Sequence, residues 1–306
     1  MLPGRNLHHM ALSDNLRGAA LMTAAMVAFT CNDAFMKAAT TTLPVFEAIV
    51  LRGILTTLAI IVIGWRSGVL RMHFPAADRK WILLRTFGEV ASTYTFLLAL
   101  KHMPLANLSA ILQFLPLAVT LAAALLLCER VGWRRLSAII VGFVGVMLIV
   151  RPGTDGFDRW SVLGLLSVAG VVVRDLATRR ISREVPSMTV AFLAALSVTV
   201  GAALILPFSE ITPISPVQAL QVAGAAGFII FGYLTVIMAM RVGDISIVAP
   251  FRYSSLVAAI FLGWAVFGQW PDNMTLIGAA IVVATGIYTF YRERRLARLA
   301  AAGTGA

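Results

Sequence analysis

Ile245–Asn273, ISIVAPFRYSSLVAAIFLGWAVFGQWPDN, is the stretch whose reading decides the fold. Most of it is apolar enough to cross a bilayer, yet Pro250 and Arg252 sit near its start. Proline has no N–H to give to a helical ladder, so a regular helix breaks or bends there. An ionised arginine deep in hydrocarbon costs about 2.5–3.5 kcal/mol on insertion scales. Such a charge persists where it faces a bundle interior, a water-filled cavity or a partner. One reading is a kinked helix with an arginine paired for structure. The other is a substrate-facing arginine in a transport cavity, and the rest of the chain favours it.

Composition points the same way. Of 306 residues 59% are hydrophobic and 13% charged, with a mean hydropathy of +0.89. A soluble domain is nearer a quarter charged, so this composition is that of an integral membrane protein. The net charge of +11 is then read first as topological rather than as a nucleic-acid footprint. Cys31 and Cys128 fall in or beside apolar segments and offer neither a disulfide framework nor a metal-ligand spacing. The polar start, MLPGRNLHHMALSDNLRG, runs into a long apolar stretch with no small-residue cleavage site, so no removable signal peptide is expected.

A spanning helix needs about 20 mostly apolar residues. Ten candidates follow, at about 16–38, 44–65, 81–100, 104–127, 133–150, 161–178, 188–207, 217–239, 246–267 and 274–291. Connections are short and often marked by proline: Pro44, Pro104, Pro152, Pro186, Pro207 and Pro271. With ten spans both termini share a side. That side carries 17 Lys and Arg, among them Arg71, Arg130, Arg183 and the tail Arg292, Arg294, Arg295 and Arg298. The other side has only Lys37, Lys101, Arg151 and Arg159. This asymmetry puts both termini in the cytoplasm.

The chain also repeats itself. Asp33, Lys37 and Pro44 recur as Asp175, Arg179 and Pro186, each 142 residues on. Ala99 and Lys101 recur as Ala239 and Arg241 at a shift of 140, where Glu129 falls on Gln269 and Leu136 on Leu276. The constant offset is the signal. Five spans per half make the second half enter the membrane upside down. Inverted repeats mark secondary transporters, whose site lies near the midplane between the halves; a duplicated structural bundle would also repeat. The expected fold is an all-α membrane protein of ten transmembrane helices in two inverted five-helix repeats. Its parts are a tail at 1–15, repeats at 16–152 and 157–291, and a basic tail at 292–306.

Polar residues inside spans are the candidate machinery. Asp33 and Lys37, four apart, share a helix face and can pair, as can Asp175 and Arg179; they are expected as structural or coupling charge pairs. Arg85 and Glu89 stand in the same relation, with Glu89 about 12 Å along the helix from Trp81. Glu89 either closes an intrahelical ion pair or binds a proton. Glu47 and Arg52 lie roughly 140° apart around their helix, so each reaches elsewhere, and Arg52 is near the midplane. Arg174 is near the cytoplasmic surface and is expected to snorkel. Asn32, Tyr94, Asn107, Gln113, Tyr233 and Tyr253 add neutral hydrogen-bonding groups, which by default join helices. Gly142, Gly145, Gly278 and Gly286 allow close helix contact, within the fold or between two subunits, so a homodimer stays open.

Enzyme chemistry has little support. No Gly-rich phosphate loop, HExxH, GxSxG or CxxC occurs. His8, His9, His73 and His102 all lie outside the spans, and Ser254 and Ser255 have no candidate base in sequence. No catalytic residue, metal site or cofactor is expected.

Ten spans in two halves, with NDAFMK at Asn32–Lys37, FEAIVLR at Phe46–Arg52 and APFRYSSLV with GQWPD in Ala249–Asp272, resemble the drug/metabolite transporter superfamily, EamA type. The resemblance covers about 16–292 and is nearest to the branch of riboflavin and S-adenosylmethionine uptake transporters. It departs at Gln269, where many members carry Glu. The small four-span relatives use a first-span glutamate for drug–proton exchange; here the first span's acid is Asp33 beside Lys37, so that mechanism is not carried over. The resemblance implies a secondary transporter of the bacterial inner membrane, with a cavity built by the inner helices and the fifth and tenth spans peripheral. Arg52 and Arg252 are then expected to bind an anionic or polar part of the substrate. Glu89 balances an arginine or carries a coupling proton, while Tyr94, Gln113 and Tyr253 orient the cargo. Riboflavin uptake is the first expectation. S-adenosylmethionine uptake comes second, then export of amino acids or toxic amphiphiles. Rival classes are an intramembrane enzyme and a structural or signalling bundle. The expected partners are a small-molecule substrate and the lipid bilayer, not nucleic acid.

Overall fold

The structure is a computed structural model that describes residues 4–66, 75–126, 132–153, 158–182, 184–209, 211–242 and 244–303. Arg71, His73, Cys128, Glu129, Arg130 and Arg183, used in the sequence reading, lie outside the described residues. All regular elements among the described residues are helical.

The first half runs through α1 (Gly4–Ala39), α2 (Val45–Arg66), α3 (Ala76–His102), α4 (Leu105–Leu112), α5 (Leu115–Leu126) and α6 (Trp133–Val150). The second runs through α7 (Trp160–Thr178), α8 (Ser187–Ile205), α9 (Pro216–Val242), α10 (Ile245–Val248), α11 (Ser254–Phe267) and α12 (Asn273–Gly303). Polar residues read as tails are helical in the structure: α1 is continuous from Gly4, and α12 continues to Gly303. Helices extend past the apolar stretch because nothing in those segments breaks the ladder.

Among the described residues nine helices are long and apolar enough to cross a membrane. The segment expected as a third span is the helix α3, but Arg85 and Glu89 in its middle leave it outside that set. An apolar core that includes Met36, Leu97, Leu108 and Ile111 is buried, but polar groups are buried with it and apolar side chains cover the outside. Asn32, Lys37, Glu47, Arg52 and Gln113 are buried, while Ile140, Val144, Leu220, Val257 and Phe261 are exposed. Exposed aliphatic side chains lose nothing in hydrocarbon, whereas each inward polar group must find a partner there. The chain is a multi-pass membrane protein.

Packing pairs the halves. α1 lies on α9, α3 on α7, α2 on α8 and α6 on α12. Exchanging the two halves maps this set onto itself, because α1·α9 becomes α7·α3. The α6–α12 seam depends on two glycines. A Cβ at Gly145 would stand 2.8 Å from the carbonyl oxygen of Gly278, and one at Gly278 would stand 2.5 Å from that of Gly145. Gly142 faces Thr285, so the two helices run antiparallel. Gly145 and Gly278 are therefore used inside the protomer, not between subunits.

Helix ends on one side are tied by specific contacts. Gly268, at φ +63°, closes α11: its N–H donates to Trp264 O and the N–H of Gln269 donates to Gly263 O at 2.9 Å. Asp272 caps α12 by accepting the Thr275 N–H at 2.9 Å, and it pairs with Arg151 at the end of α6.

Candidate functional site

Two of the expected spans are broken, and the breaks occupy corresponding places in the two halves. Between α4 and α5 the N–H of Gln113 reaches both Ser109 O and Ala110 O at 3.2 Å, a tightened last turn. Pro116 starts the next helix and withholds the N–H that residue 112 would have used. In the second half Pro250 does the same, and Ala249–Tyr253 adopts a 3₁₀ turn between α10 and α11.

The breaks meet. Gln113 Nε2 donates to Ser255 Oγ at 2.7 Å. The Ser255 hydroxyl donates to Arg252 O at 3.0 Å, while Thr30 Oγ1 of α1 donates to Ser255 O at 3.4 Å. Around this junction lies a cavity of about 160 Å³. Phe29, Phe96, Tyr253 and Phe290 give it aromatic walls; Asp33, Ser109, Gln113 and Arg252 give it polar ones. Tyr253 is buried with its hydroxyl unpartnered among the described residues, and it occupies the space a side chain at Gly286 would need.

Behind Asp33 stands a polar layer. Asn32 Nδ2 donates to Asp33 Oδ1 at 2.9 Å, and Arg52 Nη1 donates to Asn32 Oδ1 at 3.3 Å. Arg52 also lines a second cavity, of about 180 Å³, together with Arg85, Glu89 and Tyr233. Thr56, Thr93 and Thr199 add hydroxyls, and most of the remaining wall is aliphatic, from Ile60 on α2 to Ile237 on α9. Glu89 bridges two arginines: Arg85 Nη2 at 3.4 Å on its own helix and Arg174 Nη1 of α7 at 3.5 Å. Arg174 Nε also pairs with Asp175 at 2.8 Å.

The structure thus divides the residues expected at one site. Arg252, Tyr253 and Gln113 line the first cavity and Arg52 and Glu89 the second. Tyr94 lines neither: its hydroxyl donates to Val198 O at 2.9 Å and its ring meets Phe46 edge-on, so it ties α3 to α8 and α2. Lys37 does not pair with Asp33. Its ammonium donates to Leu100 O at 2.8 Å and Met103 O at 2.6 Å, capping the free carbonyls at the end of α3, and it sits over the Phe267 ring. Arg174 does not snorkel, because Glu89 on the facing helix draws it inward. Asp175 joins Arg174, and Arg179 is exposed where α7 ends. Glu47 and Arg52 diverge, with Glu47 accepting the Thr212 hydroxyl at 3.2 Å.

Sequence reasoning missed Ser255, Asp33 as a cavity residue, and the phenylalanine walls. The repeat did not single out Ser255, because the shift of 140 that holds from Ala99 to Leu136 pairs Gln113 with Tyr253. No metal-binding group of three or more His, Cys, Asp or Glu occurs among the described residues.

The model of the EamA-like transporter family matches residues 16–151 and again residues 158–291. The chain belongs to the EamA-like transporter family. Relatives of this EamA-like chain carry different cargo in their names. An S-adenosylmethionine uptake transporter of Rickettsia conorii is 25% identical over 291 residues, covering 93% of this chain and 96% of that protein. A riboflavin transporter of Vibrio cholerae is 30% identical over 220 residues, covering 71% and 74%. The pseudopaline exporter CntI of Pseudomonas aeruginosa is 26% identical over 275 residues, covering 88% and 94%. A protein of known crystal structure superposes with a TM-score of 0.61 at 22% identity, over 92% of this chain and 99% of that one, and shares the fold. Family and relatives both point to a transporter.

Proposed function

We propose that this EamA-like chain is a secondary transporter of the bacterial inner membrane that moves a small metabolite by alternating access, with riboflavin uptake as the first reading. Ten spans, α3 included, form two inverted repeats at 16–152 and 157–291, with both termini cytoplasmic. The single observation that carries the reading is the meeting of two helix breaks across the Gln113–Ser255 bond, beside a cavity that holds Asp33 and Arg252. Discontinuous helices at matching positions of two repeats are where transporters place substrate. The exchange of α1·α9 with α3·α7 supports the repeat, and the Lys/Arg asymmetry supports the orientation.

Cargo chemistry follows from the lining. Four aromatic rings suit a planar ring system, and Arg252 and Gln113 donate to ring carbonyls. Within this polar layer Asp33, Glu89 and Asp175 stand against Arg52, Arg85, Arg174 and Arg252, leaving one positive charge over. That surplus favours a neutral or anionic cargo over a net cation. A void of about 160 Å³ is close to the ~150 Å³ cavity that takes up benzene in another protein, so a three-ring flavin enters only when the helices part.

S-adenosylmethionine is the second reading, favoured by Asp33 in the cavity and by relatives matched over nearly their whole length. The experiment is uptake of labelled riboflavin and labelled S-adenosylmethionine into proteoliposomes, with and without a proton gradient. Riboflavin accumulation upholds the first reading, and S-adenosylmethionine accumulation alone replaces it with the second. If neither accumulates in folded, inserted protein, export takes their place.

A further inference from the structure

Outside the transport path, the α6–α12 pair forms a second kind of site. Next to the Gly145–Gly278 seam these helices hold an open groove between them. At its outer end Arg134, Arg292 and Arg295 surround a hollow of about 430 Å³ with Tyr288 and Tyr291. A second hollow, of about 380 Å³, continues from it along the helices and shares Arg134 and Tyr288. There Ala138, Val141 and Ala284 give apolar walls, and the Ser137 and Thr285 hydroxyls donate to carbonyls of their own helices, Arg134 O and Ile281 O. No carboxylate lines either hollow among the described residues. Arg292 Nη1 is buried with no partner among the described residues. Arg134 is held over the Trp133 ring, 5.3 Å from its centroid.

With no carboxylate in the lining among the described residues, three guanidinium groups gathered around one hollow repel one another and attract an anion. Guanidinium matches phosphate oxygens by paired N–H donors. Tyrosines belong at the headgroup level of a bilayer. Below that level an apolar channel takes hydrocarbon chain. Polar head and apolar tail stand in the order of a phospholipid, and basic pockets between spans at the cytoplasmic side are where anionic headgroups bind.

We infer that the α6–α12 groove binds an anionic phospholipid of the surrounding membrane, its phosphodiester among Arg134, Arg292 and Arg295 and one acyl chain along Val141 and Ala284. The occupant is a membrane lipid, not free phosphate, because the basic hollow opens into the apolar one.

The test uses the full chain and native mass spectrometry, with phosphatidylglycerol and phosphatidylcholine of identical chains as probes. Wild type is expected to retain phosphatidylglycerol at least about tenfold better. The double variant Arg134→Gln, Arg292→Gln is expected to lose that preference. Val141→Trp, which fills the apolar channel, is expected to weaken retention of the lipid. Equal retention of both lipids by wild type overturns the proposal, whatever the variants do. So does an undiminished preference in the double variant. Displacement of the lipid by millimolar inorganic phosphate, with Val141→Trp silent, also overturns it in favour of a soluble anion.

Discussion

Gln113 and Ser255, 142 residues apart, join the two helix breaks through one hydrogen bond of 2.7 Å. At the shift of 140 that relates Ala99 to Ala239 and Leu136 to Leu276, Gln113 falls on Tyr253, two residues before Ser255, so the bond lies beside the matching point of the two halves. Gln113→Leu and Ser255→Ala are each expected to slow uptake, and the pair to act as a unit. A double-mutant cycle on unfolding in detergent should return a coupling of about 0.5–1.5 kcal/mol. Additive effects would mean that the bond joins nothing.

Gly286 leaves room for the Tyr253 ring. Gly286→Ala puts a methyl group where the Tyr253 hydroxyl lies, a displacement that costs about 1–3 kcal/mol. It is expected to lower the melting temperature and the uptake rate together. Adding Tyr253→Ala should restore much of the melting temperature but not the uptake. That split separates the packing of Tyr253 from its place in the cavity.

Lys37 holds carbonyls of Leu100 and Met103, not Asp33. Lys37→Met leaves those buried acceptors without a charged donor, at about 1.5–3 kcal/mol. Cargo affinity should be unchanged, because Lys37 does not line the cavity. A changed dissociation constant with an unchanged melting temperature would reverse this assignment.

Much of this was legible in the chain, for reasons of unequal strength. The spans follow from hydrophobic length, and the break at Pro250 follows from a missing N–H. The break at Gln113 was hidden, because Pro116 lies in the middle of the apolar run 104–127, which reads as one helix. Charge pairs four apart were right for Arg85 and Glu89 and wrong for Asp33 and Lys37. Spacing says which groups share a face, but the facing helix decides between partners. In the second case the open carbonyls of α3 outbid a carboxylate that Asn32 already serves. Arg174 was misplaced for the same reason: Glu89 is on another helix, 85 residues away in the chain. The aromatic walls come from α1, α3 and α12 together, and no local pattern links them.

Asp272 gives the fold an acid dependence. Partial burial would raise its pKa, but the Thr275 N–H and the Arg151 guanidinium outweigh that and hold it below the ordinary carboxylate value. The unfolded chain therefore binds the proton more readily. The stabilisation is complete above the unfolded pKa of about 3.9 and is lost as pH falls through the lower folded value. The pair is partly exposed, so about 0.2–1 kcal/mol is at stake. Asn also caps helices, so Asp272→Asn removes mainly the charge. Melting temperatures of wild type and Asp272→Asn should differ by a constant amount from pH 7 to 5 and converge below about pH 4.

The central claim is that cargo occupies the cavity between the two breaks. Ser255→Cys, with Cys31 and Cys128 replaced by Ser, puts one thiol in that cavity. The measurement is its rate of labelling by a membrane-impermeant thiol reagent in proteoliposomes, with and without riboflavin or S-adenosylmethionine. The account predicts that whichever compound is taken up slows labelling in a saturable way, and that adding Arg252→Gln removes this protection. Labelling at the same rate in the presence of a compound the protein demonstrably transports would contradict it.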